Sequence, residues 1–115
     1  YNPYVNIIAH PTGRILGRRD PYDVNIDLVL EAAAATGTML EINSSPDRLD
    51  LNDSMVKRAK DMGIKIAINT DAHDKEALTD MKYGVWVARR GWLTAQSVIN
   101  TFPLGELLDF LKVMK

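Results

Sequence analysis

The sequence predicts an α/β fold with parallel strands, and three observations carry that expectation. Short apolar runs rich in β-branched residues alternate with stretches of helical periodicity. A glycine, Gly37 and then Gly63, stands between each of the first two helical stretches and the strand after it. The run at 64–69 is apolar without alternation (Ile64, Ile66, Ala67, Ile68), as in a strand covered on both faces. Strands separated by single helices pair in parallel through crossover connections.

The elements follow in order. The run 5–9 reads as a buried strand, stopped by the turn residues His10-Pro11-Thr12-Gly13. An arginine-rich loop leads to a helix at 26–36, capped by Asn25 or Asp23, with Ile26, Val29, Leu30 and Ala33 as its apolar stripe. Residues 38–43 form the second strand. Asn52 or Asp53 caps a helix at 54–62, with Val56, Ala59 and Met62 near one face. The third strand, 64–69, ends at Thr70-Asp71-Ala72-His73-Asp74. The tail reads as helical: a short helix at 75–81, an ambiguous stretch at 83–92, a helix at 95–100 capped by Thr94, and a last helix at 103–115. Leu104, Leu107, Leu108 and Leu111 share one face of that last helix.

At 115 residues, with 46% hydrophobic and 25% charged residues, the chain is the size of one domain spanning 1–115 and not of a disordered composition. No apolar run approaches the roughly 18 residues of a membrane span. The absence of cysteine excludes disulfides, thiolate metal sites and a cysteine nucleophile, and fits a reducing, cytoplasmic location. A net charge of -1, from 14 basic and 15 acidic residues, excludes a general basic coat for nucleic acid, so any such contact must come from local clusters. The chain opens at Tyr1 without an initiator methionine or a leader pattern, and is expected to be a piece of a longer protein.

The chemistry-bearing residues collect at strand ends. His10 follows the first strand, Asn43 closes the second, and Asp71 and His73 follow the third. In parallel α/β folds those ends share one rim, where ligands bind. Imidazole with carboxylate suits zinc, manganese or iron. If strand geometry continued through Asp71-Ala72-His73, both side chains would lie on one side. The plain alternatives are that Asp71 or Asp74 caps the next helix and that His73 is an ordinary loop residue. For His10, Pro11 imposes extended geometry and the residue simply ends a strand. Glu41, inside an apolar strand, points either into a polar interior or to an exposed edge. Arg14, Arg18 and Arg19 share the loop after His10, and Arg48 lies after the second strand. Near a metal, arginine would grip the oxygens of a phosphate ester; otherwise these groups pair with Asp20, Asp23, Asp47 and Asp50. Nothing in the sequence places Arg89 and Arg90 at the rim. Trp86 and Trp92 could stack bases but are expected in the core. Gly-rich phosphate loops, Gly-x-Ser-x-Gly and His-Glu-x-x-His are absent.

Several segments resemble a known family. They are Ile8-Ala9-His10-Pro11-Thr12-Gly13-Arg14, Glu41-Ile42-Asn43, Arg48-Leu49-Asp50-Leu51-Asn52-Asp53, Asn69-Thr70-Asp71-Ala72-His73, and the stretch from Tyr83 to Leu93 containing Arg89-Arg90-Gly91-Trp92. Together they resemble the C-terminal part of the PHP (polymerase and histidinol phosphatase) domain, in the branch attached to family X DNA polymerases. The resemblance implies a partial (βα) barrel of the PHP type with a helical C-terminal tail. It implies a divalent metal site, manganese or zinc, often trinuclear, to which His10, Asp71 and His73 contribute. The further ligands belong to motifs upstream of this sequence. Arg14, Asn43 and Arg48 are then candidate substrate contacts. The implied activity is metal-dependent 3′→5′ exonuclease or phosphodiester cleavage in DNA repair. DNA and the missing N-terminal part of the domain are the implied partners. The isolated chain is expected to be inactive, with open sheet edges available for self-association. The alternatives are a stand-alone PHP phosphatase acting on a small phosphate monoester, and a non-catalytic scaffold holding the polymerase.

Overall fold

A computed structural model describes residues 5–18, 20 and 25–111 of the chain. Three parallel strands, β1 (Ile7–Ile8), β2 (Met39–Asn43) and β3 (Ile66–Asn69), form one sheet in sequence order. Helix α1 (Ile26–Thr36) joins β1 to β2, and α2 (Asp53–Asp61) joins β2 to β3. After β3 the chain runs through a 3-10 turn (Glu76–Asp80) into α3 (Met81–Arg90). Two further 3-10 turns (Ala95–Ser97, Ile99–Thr101) lead to α4 (Leu104–Phe110).

The α1 and α2 boundaries follow from capping chemistry. Asn25 Oδ1 accepts from the Leu28 N–H, and Asn52 Oδ1 from the Met55 N–H at 3.0 Å. Each satisfies one of the free donors of a first helical turn, worth about 1 kcal/mol. Gly37 and Gly63, at φ 69° and 79°, turn the chain into β2 and β3. The alternative cap, Asp23, lies outside the described residues.

The two faces of the sheet differ. One face carries Leu40, Ile42, Ile66 and Ile68, and packs against Leu30 and Ala33 of α1, Val56 and Ala59 of α2 and Ala88 of α3. Each of these large aliphatic side chains contributes roughly 1.5–3 kcal/mol by leaving water. The other face changes character along its length. Near the amino end, Met39 and Ala67 meet Ile99, Phe102, Leu107 and Leu111 of the tail. Toward the carboxyl end the same face presents Glu41, Asn43 and Asn69, and no apolar cluster covers it among the described residues.

Several expectations are corrected. The strand at 5–9 is short and half-exposed rather than buried: Ile7 and Ile8 lie at an edge with one neighbouring strand among the described residues. The stretch 83–92 is helical as far as Arg90, within α3. The expected helix at 95–100 is two 3-10 turns with no side-chain cap from Thr94. Of the α4 stripe, Leu107 and Leu111 pack, whereas Leu104 and Leu108 are exposed; residues 112–115 lie outside the described residues. The outer edge of β3 is not left open. Val98 bridges to Ile66 in parallel, and the Asn100 amide exchanges two hydrogen bonds of 2.8 Å with the Ile68 backbone, as a fourth strand would. Three strands form an open sheet, not a closed barrel.

Helix α3 crosses the carboxyl ends of β2 and β3 at Gly84. A Cβ there would collide with Ser44 Oγ and stand 2.6 Å from Ile68 Cγ2. Gly84→Ala is therefore expected to destabilise the chain by about 1–3 kcal/mol through overpacking, despite the roughly 1 kcal/mol that alanine adds in a helix. Ser44→Ala in the same background should recover part of the loss, because Ser44 Oγ is buried without a hydrogen-bond partner. Urea unfolding of the single and double variants measures both effects.

Candidate functional site

The carboxyl ends of the three strands do share one rim. A set of buried polar side chains ties them together. Glu41, buried at the centre of β2, uses both carboxylate oxygens: Oε1 accepts from the His10 backbone N–H at 3.0 Å and Oε2 from Asn69 Nδ2 at 2.8 Å. One side chain thus connects the end of β1 to the end of β3. It points to the polar end of the sheet face and not to an exposed edge. Asn43, fully buried, donates from Nδ2 to Asp71 Oδ2 at 3.2 Å and accepts at Oδ1 from the Ser45 N–H. Asp50, also fully buried, accepts from the backbone N–H groups of Thr12 and Gly13 at 2.8–3.2 Å. It folds the turn after His10 and pairs with no arginine among the described residues, contrary to one sequence alternative.

His10 is not extended, although a proline follows it. Its φ is 27°, because its N–H is held by Glu41 and its carbonyl accepts from the Gly13 N–H at 2.9 Å. The turn overrides the local preference. Asp71, at φ 54°, leaves the strand as well, so the alternation expected through Asp71-Ala72-His73 does not occur. The two residues stay together by another route. His73 Nδ1 lies 2.7 Å from the Asp71 carbonyl oxygen. With Nδ1–H donating, the neutral ring keeps its lone pair on the exposed Nε2, the arrangement typical of histidines that bind metals. Asp74, not Asp71, caps the 3-10 turn that leads into α3, accepting from the Ala77 N–H at 2.8 Å.

Arg14 and Arg48 brace the rim loops against each other. Arg14 donates from Nε to the Arg48 carbonyl at 2.9 Å and from Nη2 to that of Leu49, and Arg48 Nη1 donates to the Arg14 carbonyl at 3.4 Å. Arg14 also lines a groove of about 310 Å³ with Asn52, Asp53 and Arg90. Arg90 therefore does reach the rim loops, a placement the sequence did not suggest. Arg19 and Asp23 lie outside the described residues.

The donors are of the right kind for a divalent metal: imidazole nitrogen and carboxylate oxygen. Their number falls short. Among the described residues, no three His, Asp or Glu side chains converge as a group that could hold one ion. Asp50 and Asn69 are contributors that sequence reasoning missed. The available signal for Asp50 was an acid between two leucines, Leu49 and Leu51.

Comparison with known proteins places this arrangement. The chain is 48% identical over 111 residues to the DNA polymerase/3′-5′ exonuclease PolX of Bacillus subtilis, a match covering 96% of the chain and 20% of that protein. It is 34% identical over 120 residues to a probable phosphatase of Thermoanaerobacter, covering 99% of the chain and 46% of the relative. A probable phosphatase of Syntrophotalea carbinolica is 26% identical over 116 residues. No family model matches the chain. The chain is thus similar to a segment of a PolX polymerase/exonuclease and to part of these probable phosphatases. It spans about a fifth of the length of PolX and just under half that of the Thermoanaerobacter phosphatase.

Removing the Asp50 carboxylate should leave the buried Thr12 N–H without its acceptor, while the Gly13 N–H keeps the His10 carbonyl. Asp50→Ala is expected to cost about 1–3 kcal/mol, the range for one buried group left unpaired. Glu41→Ala should act similarly through the His10 N–H and the Asn69 amide. Chemical denaturation gives the loss, and amide exchange at Thr12 should quicken selectively in the Asp50 variant.

Proposed function

We propose that this chain is the carboxyl-terminal portion of a PHP-type, metal-dependent phosphoesterase site, of the kind that serves a DNA polymerase as a 3′→5′ exonuclease in repair. The observation that supports it best is the delivery of His10, Asp71 and His73 to one rim by parallel strands, with Asn43 on the Asp71 carboxylate and Glu41 linking the first and third strand ends. The polymerase/exonuclease and the phosphatases among its relatives support the same reading.

His10, the Asp71 carboxylate and His73 Nε2 would hold a manganese or zinc ion, with the remaining ligands supplied by a preceding part of the domain. When bound, the ion supplies Lewis-acid activation of a phosphoryl oxygen and of water. The chain's own residues prepare for it. The Asp71 carbonyl directs the His73 ring, and Asn43 fixes the Asp71 carboxylate. Donor capacity of Arg14 and Arg48 left over from loop bracing would meet phosphate oxygens. By itself the chain would lack nuclease activity. Its partners would be DNA and the preceding part of the domain, with self-association through the β1 edge in its absence, and its location would be the cytoplasm.

A second reading has its own support: the relatives also include probable phosphatases, of which the chain covers a larger share. A stand-alone enzyme of that kind would release phosphate from a small monoester and leave DNA intact. A non-catalytic scaffold would retain full nuclease activity in a parent protein carrying His10→Ala and Asp71→Ala.

Mn²⁺ titrated into isotopically labelled chain tests the ligand assignment. Paramagnetic broadening should centre on His10, Asp71 and His73, and Asp71→Ala should disperse it. Broadening spread over surface carboxylates of a folded chain would overturn the assignment.

A further inference from the structure

Helix α3 makes its closest approach to the core through its smallest residues. Its inner side carries Gly84 and Ala88, and Gly91 follows directly after; a Cβ at Gly91 would meet Val56 Cγ1 at 2.7 Å. Met81, Val85 and Val87 are partly buried against the core beside them. At 100° per residue, Lys82, Tyr83, Trp86, Arg89 and Arg90 fall within about 120° of arc on the opposite side. Trp86 is 53% exposed and Trp92, just past the helix, 68%. A buried tryptophan is among the largest single contributions to a core, yet both indoles of this chain stand mostly in water, against the sequence expectation.

The exposed rings are held and surrounded by cations. Tyr83 meets Trp86 edge-on at 5.3 Å between centroids. Lys82 Nζ lies 5.2 Å from the Tyr83 ring centre, and Lys57 Nζ 5.3 Å from that of Trp92. Helix α3 contains three cations and no acid. Arg90 pairs with Asp53 and Lys57 with Asp61, whereas Lys82 and Arg89 have no carboxylate partner among the described residues. Along the helix, Lys82, Trp86 and Arg90 follow one another in steps of about 6 Å. The face is also continuous with the rim, because Arg90 shares its groove with Arg14, four residues beyond His10.

We propose that this face is a docking track for single-stranded nucleic acid, with bases stacking on Trp86 and Trp92 and phosphates meeting Lys82, Arg89 and Arg90. Alternating cations and exposed rings suit such a strand, because every base offers a π-face whatever its sequence. Exposed Trp and Arg also mark protein interfaces. A helix with cations and no acid favours a polyanion, and the choice of nucleic acid over an acidic protein rests on the phosphoesterase function proposed for the rim.

Anisotropy of a labelled oligothymidylate, titrated with the chain in EDTA, tests the track without involving metal. Saturable binding is expected. Trp86→Ala should weaken it about tenfold, within the range for loss of one base–aromatic stack. Arg89→Gln should lower the slope of log Kd against log salt by about 0.7. Both sites are exposed, so circular dichroism and the urea midpoint should stay as in the parent chain. Absence of binding, binding indifferent to both variants, or polyglutamate binding as tightly as oligothymidylate would each overturn the proposal. Asp71→Ala should leave oligothymidylate binding in EDTA unchanged. A track that binds while Mn²⁺ fails to localise at the rim therefore sinks the metal assignment alone, and the converse result sinks the track alone.

Discussion

Two carboxyl groups buried at the carboxyl end of the sheet set the geometry on which the rest depends. Glu41 and Asp50 are almost completely removed from water, and a buried polar group without partners costs several kcal/mol. Their partners come from other segments: the His10 N–H and the Asn69 amide for Glu41, the Thr12 and Gly13 N–H groups for Asp50. To satisfy them, the loop after β1 must fold back over β2, and the end of β3 must stay in register with both. The rim is therefore not a set of loose loops on a rigid sheet. It is a hydrogen-bonded structure, and His10, whose N–H is held by Glu41, adopts positive φ within it.

The same sheet divides its work between its faces. The aliphatic face against α1, α2 and α3 supplies most of the burial. The opposite face passes from Met39 through Glu41 to Asn43, from a tail-covered apolar end to a polar one. Each parallel strand leaves toward the same end, so side chains far apart in sequence meet there. The rim so formed carries His10, Asn43, Asp71 and His73 at neighbouring strand ends.

Helix α3 shows how packing can reverse an ordinary preference. Gly84 passes so close to Ser44 and Ile68 that no side chain fits between them, and Gly91 lies as close to Val56. Close approach of this kind anchors the helix across the strand ends. Trp86 and the cations of the helix lie on the opposite side, and the surface so formed is cationic and aromatic.

Local patterns of period, capping and turn chemistry were enough to dictate the alternation of elements. The helix at 26–36, the caps Asn25 and Asn52, the glycines at 37 and 63 and the parallel order are all legible in them. They also marked His10, Asn43, Asp71 and His73 as strand-end residues, because position after a strand is a local property. What these side chains do depends instead on the assembled fold. The φ of His10 went against the rule for residues before proline. Asp71 and His73 are joined through a backbone carbonyl instead of an extended strand, and Arg14 braces the loop that carries Arg48. Glu41 and Asp50 found donors 28 to 38 residues away. Hydrogen-bond satisfaction in a buried site is a long-range requirement, and no local window of sequence contains both the acceptor and its donor.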